Sequence, residues 1–143
     1  MNDSIKFTVP GEPVAKGRPK FTNAGKFPRA YTPAKTRNYE DWVALNALQH
    51  APDVPFNRSV ALFLRILVYR PIPKSLSKKK RALAIDGKLL PTSRPDLDNY
   101  EKAITDGIGK TGRYFEDDSQ ICVVMCKKLY GEVPRVEIEI GKI

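Results

Sequence analysis

Two cysteines and one histidine in 143 residues are too few for a zinc site of the usual Cys/His kind. A disulfide is excluded as well. Cys122 and Cys126 fall in an apparent strand, where four residues of rise hold them roughly 13 Å apart, so both are expected to be reduced packing residues. No apolar run approaches the roughly 20 residues that cross a bilayer, and the amino terminus, Met1 to Val9, is too polar for a signal peptide. These absences point to a cytoplasmic protein with no membrane contact and no organic cofactor.

What is present is positive charge. The formal charge is +9 with a pI near 9.6, a balance that suits a polyanion because Lys and Arg release condensed counterions from phosphates. On charge alone a nucleic-acid partner and a merely basic solvated surface are equally good readings. Hydrophobic residues at 41% and charged residues at 29% describe an ordinary globular chain, and the length suits a single domain, residues 1–143.

Ile5 to Val9 alternates apolar and polar residues as a short strand does, and Pro10 to Pro13 breaks it. Residues 16–37 hold seven Lys or Arg and no carboxylate, interleaved with Phe21, Phe27 and Tyr31 and loosened by Gly17, Gly25 and three prolines, which reads as a basic loop. Thr32-Pro33 is a helix start, a hydroxyl N-cap before a proline at the first position, and the spacing predicts a helix from Pro33 to about Gln49. Tyr39, Trp42, Leu45 and Leu48 recur in it at three-residue steps, and Trp42 is expected in the core. His50, near the helix end, suits a cap better than a catalyst. Val60 to Tyr69 is a β-branched and aromatic strand.

Residues 71–94 read as a charged functional loop with a helical turn or two from Ser77 to Ile85. The run Lys78-Lys79-Lys80-Arg81 fits a phosphate contact and a solvated helix face equally well. A second main helix is expected from Asp98 to about Lys110, with Asp98 as N-cap and Glu101 as N3 of an acidic capping box, and Gly107-Ile108-Gly109 loosening its end. Ile121 to Leu129 and Val136 to Ile140 close the chain as strands. The order β-α-β-α-β-β implies an α+β fold, a mixed sheet covered on one face by two main helices.

Seven of the sixteen carboxylates lie between Asp96 and Asp118, against only Lys102, Lys110 and Arg113. That window carries −4, and the remainder of the chain carries +13. Acid beside a polyanion adds no affinity, and its natural compensation is a hard divalent cation on carboxylate oxygens. Asp96 and Asp98 enter a helix two positions apart, and Asp118 arrives at the head of a strand. The plain alternative is that these residues are caps and turns on a solvated surface.

The detailed pattern is Arg94-Pro95-Asp96-Leu97-Asp98-Asn99-Tyr100-x-Lys102-x-x-x-Asp106, followed by Glu116-Asp117-Asp118-Ser119-Gln120. It resembles the RusA family of Holliday junction resolvases, whose signature is Asp-x-Asp-Asn, a lysine four residues after the second Asp, and a later Asp-Asp-x-Gln. Ala15-Lys16-Gly17-Arg18-Pro19 and Tyr31-Thr32-Pro33 are similar to the family's opening, so the resemblance spans nearly the whole chain. It implies a homodimeric, Mg2+-dependent endodeoxyribonuclease, with Mn2+ as a substitute, that nicks four-way junctions symmetrically. Carried over by position, Asp96, Asp98 and Asp118 are the implied metal ligands, while Asp117 either assists or shapes the turn.

Lys102 stands four residues from both Asp98 and Asp106, which an intrahelical ion pair explains. The resemblance instead implies a catalytic lysine that stabilises charge building on the phosphate. Lys16, Arg18, Lys20, Lys26, Arg29, Lys35 and Arg37 are the expected DNA contacts. Phe21, Phe27 or Tyr31 either stacks on an exposed base or packs as a buried anchor. Two other functions are consistent with the residues: a less selective structure-specific DNA nuclease, and a non-catalytic DNA-binding protein.

Overall fold

The structure, a computed structural model, describes residues 4–17, 20–22, 25 and 29–143. Four strands form the main sheet. They are β1 (Ser4–Pro10), β4 (Leu62–Pro71), β5 (Ile121–Gly131) and β6 (Arg135–Lys142), in the order β1-β6-β4-β5. β6 is antiparallel to β1 and β4, and β5 runs parallel to β4 along the outer edge. The sheet is therefore mixed, in an α+β fold as the sequence implied.

Alternation decides which face is covered. Phe7 and Val9 of β1, Leu62, Leu64, Ile66 and Val68 of β4, and Val136, Ile138 and Ile140 of β6 all point to one side and are buried. Each such side chain stabilises the fold by about 1.5–3 kcal/mol when fully removed from water. α1 (Ala34–Leu48) and α3 (Leu97–Lys110) cover that face with Tyr39, Val43, Ala47, Tyr100, Ala103, Ile104 and Ile108. A third helix, α2 (Lys78–Ile85), packs beside β5. Parallel β4 and β5 need a crossover connection, and α2 and α3 supply it.

Several sequence expectations are corrected. The basic loop is in part a ribbon, β2 (Lys20–Thr22) paired antiparallel with β3 (Arg29–Tyr31). α1 takes Pro33 as its N-cap and has no side-chain cap, so Thr32 does not supply one. Its buried positions are Thr36, Tyr39, Glu40, Val43 and Ala47, which leaves Trp42, Leu45 and Leu48 exposed. Trp42 is thus not core; its indole Nε1 donates to the Pro10 carbonyl at 2.7 Å and pins the end of β1. Cys126 packs against the core whereas Cys122 is exposed, and both are free thiols.

α3 holds its helix through the glycines rather than loosening there. A Cβ on Gly107 would stand 2.7 Å from Val43 of α1 and 3.0 Å from the Glu40 carbonyl. Glycine is what lets the two helices close. His50 places Nδ1 3.2 Å from the Asn46 carbonyl in the last turn of α1 and stacks on Phe7, in keeping with a cap.

Candidate active site

α3 is capped two residues earlier than its sequence suggests. Its N-cap is Asp96, in extended backbone and without a side-chain cap, so the expected box of Asp98 and Glu101 does not form. Asp98 instead sits in the first turn, where a carboxylate complements the positive end of the helix dipole. The apolar stripe of α3 faces the core, and its opposite face presents Asp98, Glu101, Lys102 and Thr105 at helical spacing. The turn before the helix is held from two strands. Lys128 of β5 donates to the carbonyls of Ser93 at 3.1 Å and Pro95 at 3.0 Å, and Arg70 of β4 donates to Ser93 at 3.2 Å. The Arg94–Pro95 peptide is cis.

Across from α3, a 3-10 turn, Asp118–Gln120, leads into β5. Gln120 is buried and organises it. Its Oε1 accepts from Glu116 N at 2.9 Å and Asp117 N at 3.2 Å, while its Nε2 donates to the carbonyls of Asn57 at 2.9 Å and Val60 at 3.2 Å. Asp117 closes a capping box with this turn and accepts from Ser119 N at 3.1 Å. Those hydrogen bonds to Ser119 hold its carboxyl below the usual carboxylate range, with Arg58 adding to them. Asp117 shapes the turn. The Asp118 side chain is left exposed with no hydrogen bond or ion pair among the described residues.

α3 and β5 enclose a cavity of about 430 Å³ lined by Asp98, Asn99, Glu101, Lys102, Thr105, Asp118, Ile121 and Val124. Three of the four residues singled out in the sequence, Asp98, Lys102 and Asp118, therefore share one groove. Asp96 is exposed at the mouth of α3 and does not line it. Glu101 does, although its sequence position suggested only a cap; the missed signal is its place one turn from Asp98 on the same helix face. Burial of Cys126, helped by the charge of nearby Glu101, pushes that thiol up to about 12.

Lys102 does what its spacing suggests and more. Its ammonium pairs with Asp106 at 3.2 Å, and its side chain remains 57% exposed beside the two aspartates. The donors in the groove are hard oxygens, from the carboxylates, the Asn99 amide and the Thr105 hydroxyl, a set suited to Mg2+ or Mn2+. Among the described residues, no group of three or more His, Cys, Asp or Glu side chains is placed to hold a metal ion. The donor set fits Mg2+ on those terms, because this ion keeps much of its water and takes one or two carboxylates together with substrate phosphates.

The basic segment divides. Lys16 is engaged internally, donating to Glu40 and Asp106 at 2.8 Å each. Burial lowers its pKa, but the hydrogen bonds and charges of Asp106 and Glu40 outweigh it and hold the ammonium above its ordinary value. Its backbone N–H donates to the Asn99 carbonyl at 2.8 Å, so this lysine ties the segment to α3. Lys35 and Arg37 are exposed, as is Tyr31. Arg18, Lys26 and Phe27 lie outside the described residues, as do the side chains of Lys20, Phe21 and Arg29.

Residues 10–141 match the family described as Endodeoxyribonuclease RusA. The chain belongs to the RusA family. This member is an endodeoxyribonuclease by that membership. It is 42% identical over 143 residues to a Bacillus subtilis (strain 168) protein, YqaN, which is uncharacterized; the match covers 99% of this chain and 98% of that one. It is 35% identical over 108 residues, 76% of this chain and 73% of the other, to the crossover junction endodeoxyribonuclease rusA of Lactococcus phage r1t. Among the described residues, no helix of this RusA member is long and apolar enough to cross a membrane.

Proposed function

We propose that this RusA-family endodeoxyribonuclease resolves four-way DNA junctions by paired symmetric nicks, as a Mg2+-dependent homodimer in the cytoplasm. The observation that carries the reading is the shared groove of Asp98, Lys102 and Asp118 between α3 and β5, in a chain of this family.

Asp98 and Asp118 would hold the ion, with Asp96 joining from the mouth of the helix. Bound there, a divalent cation supplies an activated water and neutralises charge on the scissile phosphate. The chain's own residues divide the remaining work. Lys102 meets the negative charge that builds on the phosphate oxygens, at a position where its partner Asp106 leaves the ammonium accessible. Gln120 and Asp117 fix the turn that presents Asp118. Lys128 and Arg70 fix the turn that presents Asp96 and Asp98. Exposed Lys35 and Arg37, with Arg18, Lys20, Lys26 and Arg29 of the same segment, hold the DNA arms.

Two symmetric cuts require two sites related by a two-fold axis. The edge strand β5 leaves Val123, Val124 and Met125 exposed beside the groove, a surface that favours a second copy over a lone protomer. The test is incubation of the purified protein with a synthetic four-way junction and Mg2+. Paired nicks that disappear in Asp98→Asn while junction binding persists are expected; equal cutting of junction and linear duplex would overturn the selectivity.

A further inference from the structure

Residues 70–94 carry eight Lys or Arg against one carboxylate, Asp86, a net +7 immediately before the −4 window of the groove. Four of the eight cations are concentrated on α2, at Lys78, Lys79, Lys80 and Arg81. All four are exposed, and none forms an ion pair among the described residues. By contrast Lys16, Lys102 and Lys110 all meet carboxylates.

The helix owes nothing to these cations. Ser77 caps its start by accepting from Lys80 N at 3.2 Å. At its end Gly87, with φ +77°, allows Lys88 N to reach the Leu83 carbonyl at 2.9 Å and Gly87 N the Ala84 carbonyl at 3.1 Å, a Schellman closure. Ala84 is fully buried and anchors the helix to the body. The cations also occupy the end of the helix where the backbone dipole is already positive and no acid stands in the first turn. That placement weakens the helix, so folding does not account for it, whereas a polyanion alongside would relieve it.

α2 packs beside β5, and β5 forms one wall of the groove through Ile121 and Val124. The Lys16 segment is tied to the other wall, α3. We infer that α2 is a second DNA-binding element, which contacts the phosphate backbone of a DNA arm on the β5 side of the groove and thereby brackets the substrate between two basic segments. The inference rests on the nuclease reading above and adds to it a specific surface.

The experiment compares the full chain with a variant carrying Lys78→Gln, Lys79→Gln, Lys80→Gln and Arg81→Gln. Each binds a four-way junction in Ca2+, to prevent cutting, over a range of salt. Loss of at least about tenfold in affinity is expected near about 100 mM salt, with the salt slope shallower by up to about 3.6. Lys6→Gln, on the opposite edge of the sheet, should leave both unchanged. The thermal midpoint of the quadruple variant should be equal or higher, which separates lost contact from lost fold. Identical affinity and slope in the quadruple variant and the parent would overturn this inference while leaving the nuclease reading intact. A parent chain that binds no DNA at all would overturn both.

Discussion

The ammonium of Lys128 on β5 reaches the carbonyl oxygen of Pro95 at 3.0 Å, so the residue directly ahead of Asp96 is held by the strand that forms the far wall of the groove. Lys128→Met keeps the stem of the side chain and removes the charged donor. It is expected to raise the Mg2+ concentration needed for half-maximal cutting by roughly tenfold or more, as loss of outer-shell support commonly does. The measurement is nicking rate against Mg2+, with circular dichroism as the check on folding. An unchanged Mg2+ dependence would show that Asp96 and Asp98 are positioned without it.

Gln120 touches four backbone groups on three stretches of chain, around Asn57, Val60 and Glu116-Asp117. Gln120→Ala leaves buried donors and acceptors without partners and is expected to lower stability by about 2–3 kcal/mol, read from urea unfolding. Cutting should fall further than stability explains, because the same turn presents Asp118. Gln120→Glu, which keeps the acceptor and loses the donor, should be intermediate.

The hydroxyl of Tyr39 is buried with no hydrogen-bond partner among the described residues. Tyr39→Phe is therefore expected to be neutral or to stabilise by about 1 kcal/mol, since it removes a desolvated polar group at constant shape. Thermal unfolding decides it, and a clear loss of stability would reveal a partner for this hydroxyl in solution.

Gly107→Ala places a methyl 2.7 Å from Val43. The helices must separate or Val43 must shift, at an expected cost of about 1–3 kcal/mol by overpacking, measurable as a lower thermal midpoint. Gly109→Ala, whose Cβ would meet only Phe115 at an ordinary 3.6 Å, should be far milder.

Stability should decline in alkali. Burial raises the Cys126 thiol and the Tyr114 phenol, each to about 12, and the folded protein keeps those protons where the unfolded chain has lost them. A raised pKa gives stability that is whole below the unfolded value and is lost as pH rises toward the folded one. The decline begins near pH 9 with Cys126, whose ordinary value is 9.0, and steepens past pH 10 with Tyr114. The Lys16 pairs add a later loss as pH rises beyond 10.5. Cys126→Val should remove the earliest part of the slope in urea midpoints taken from pH 8 to 10.5.

The strands of the main sheet were legible because their alternation is a property of neighbours along the chain, whereas the short ribbon β2–β3 carries too few residues to show one. β4 reads Leu62, Leu64, Ile66, Val68 on one face wherever it is placed. α1 misled because two of its buried positions are Thr36 and Glu40. Glu40 is paid for by Lys16 and Lys110, from elements 24 and 70 residues away, and no local pattern contains them. Of the residues that line the groove, Asp98, Lys102 and Asp118 stand out in the sequence through motif spacing. Glu101 was mistaken for a cap because the N-cap of α3 is Asp96, two residues before Asp98. The ion pairs of Lys16 were not legible, because its two carboxylate partners stand on α1 and α3, far along the chain.

The two walls of the groove both come from the second half of one crossover: Asp98 rides on α3, and Asp118 arrives only with β5. β5 joins the sheet by parallel pairing with β4, Leu62 to Ile121 at its first register, a contact between distant parts of the chain that is slow to form. Until β5 has paired with β4, Asp118 has no fixed place opposite Asp98, so the groove exists only in a chain that has made this long-range pairing.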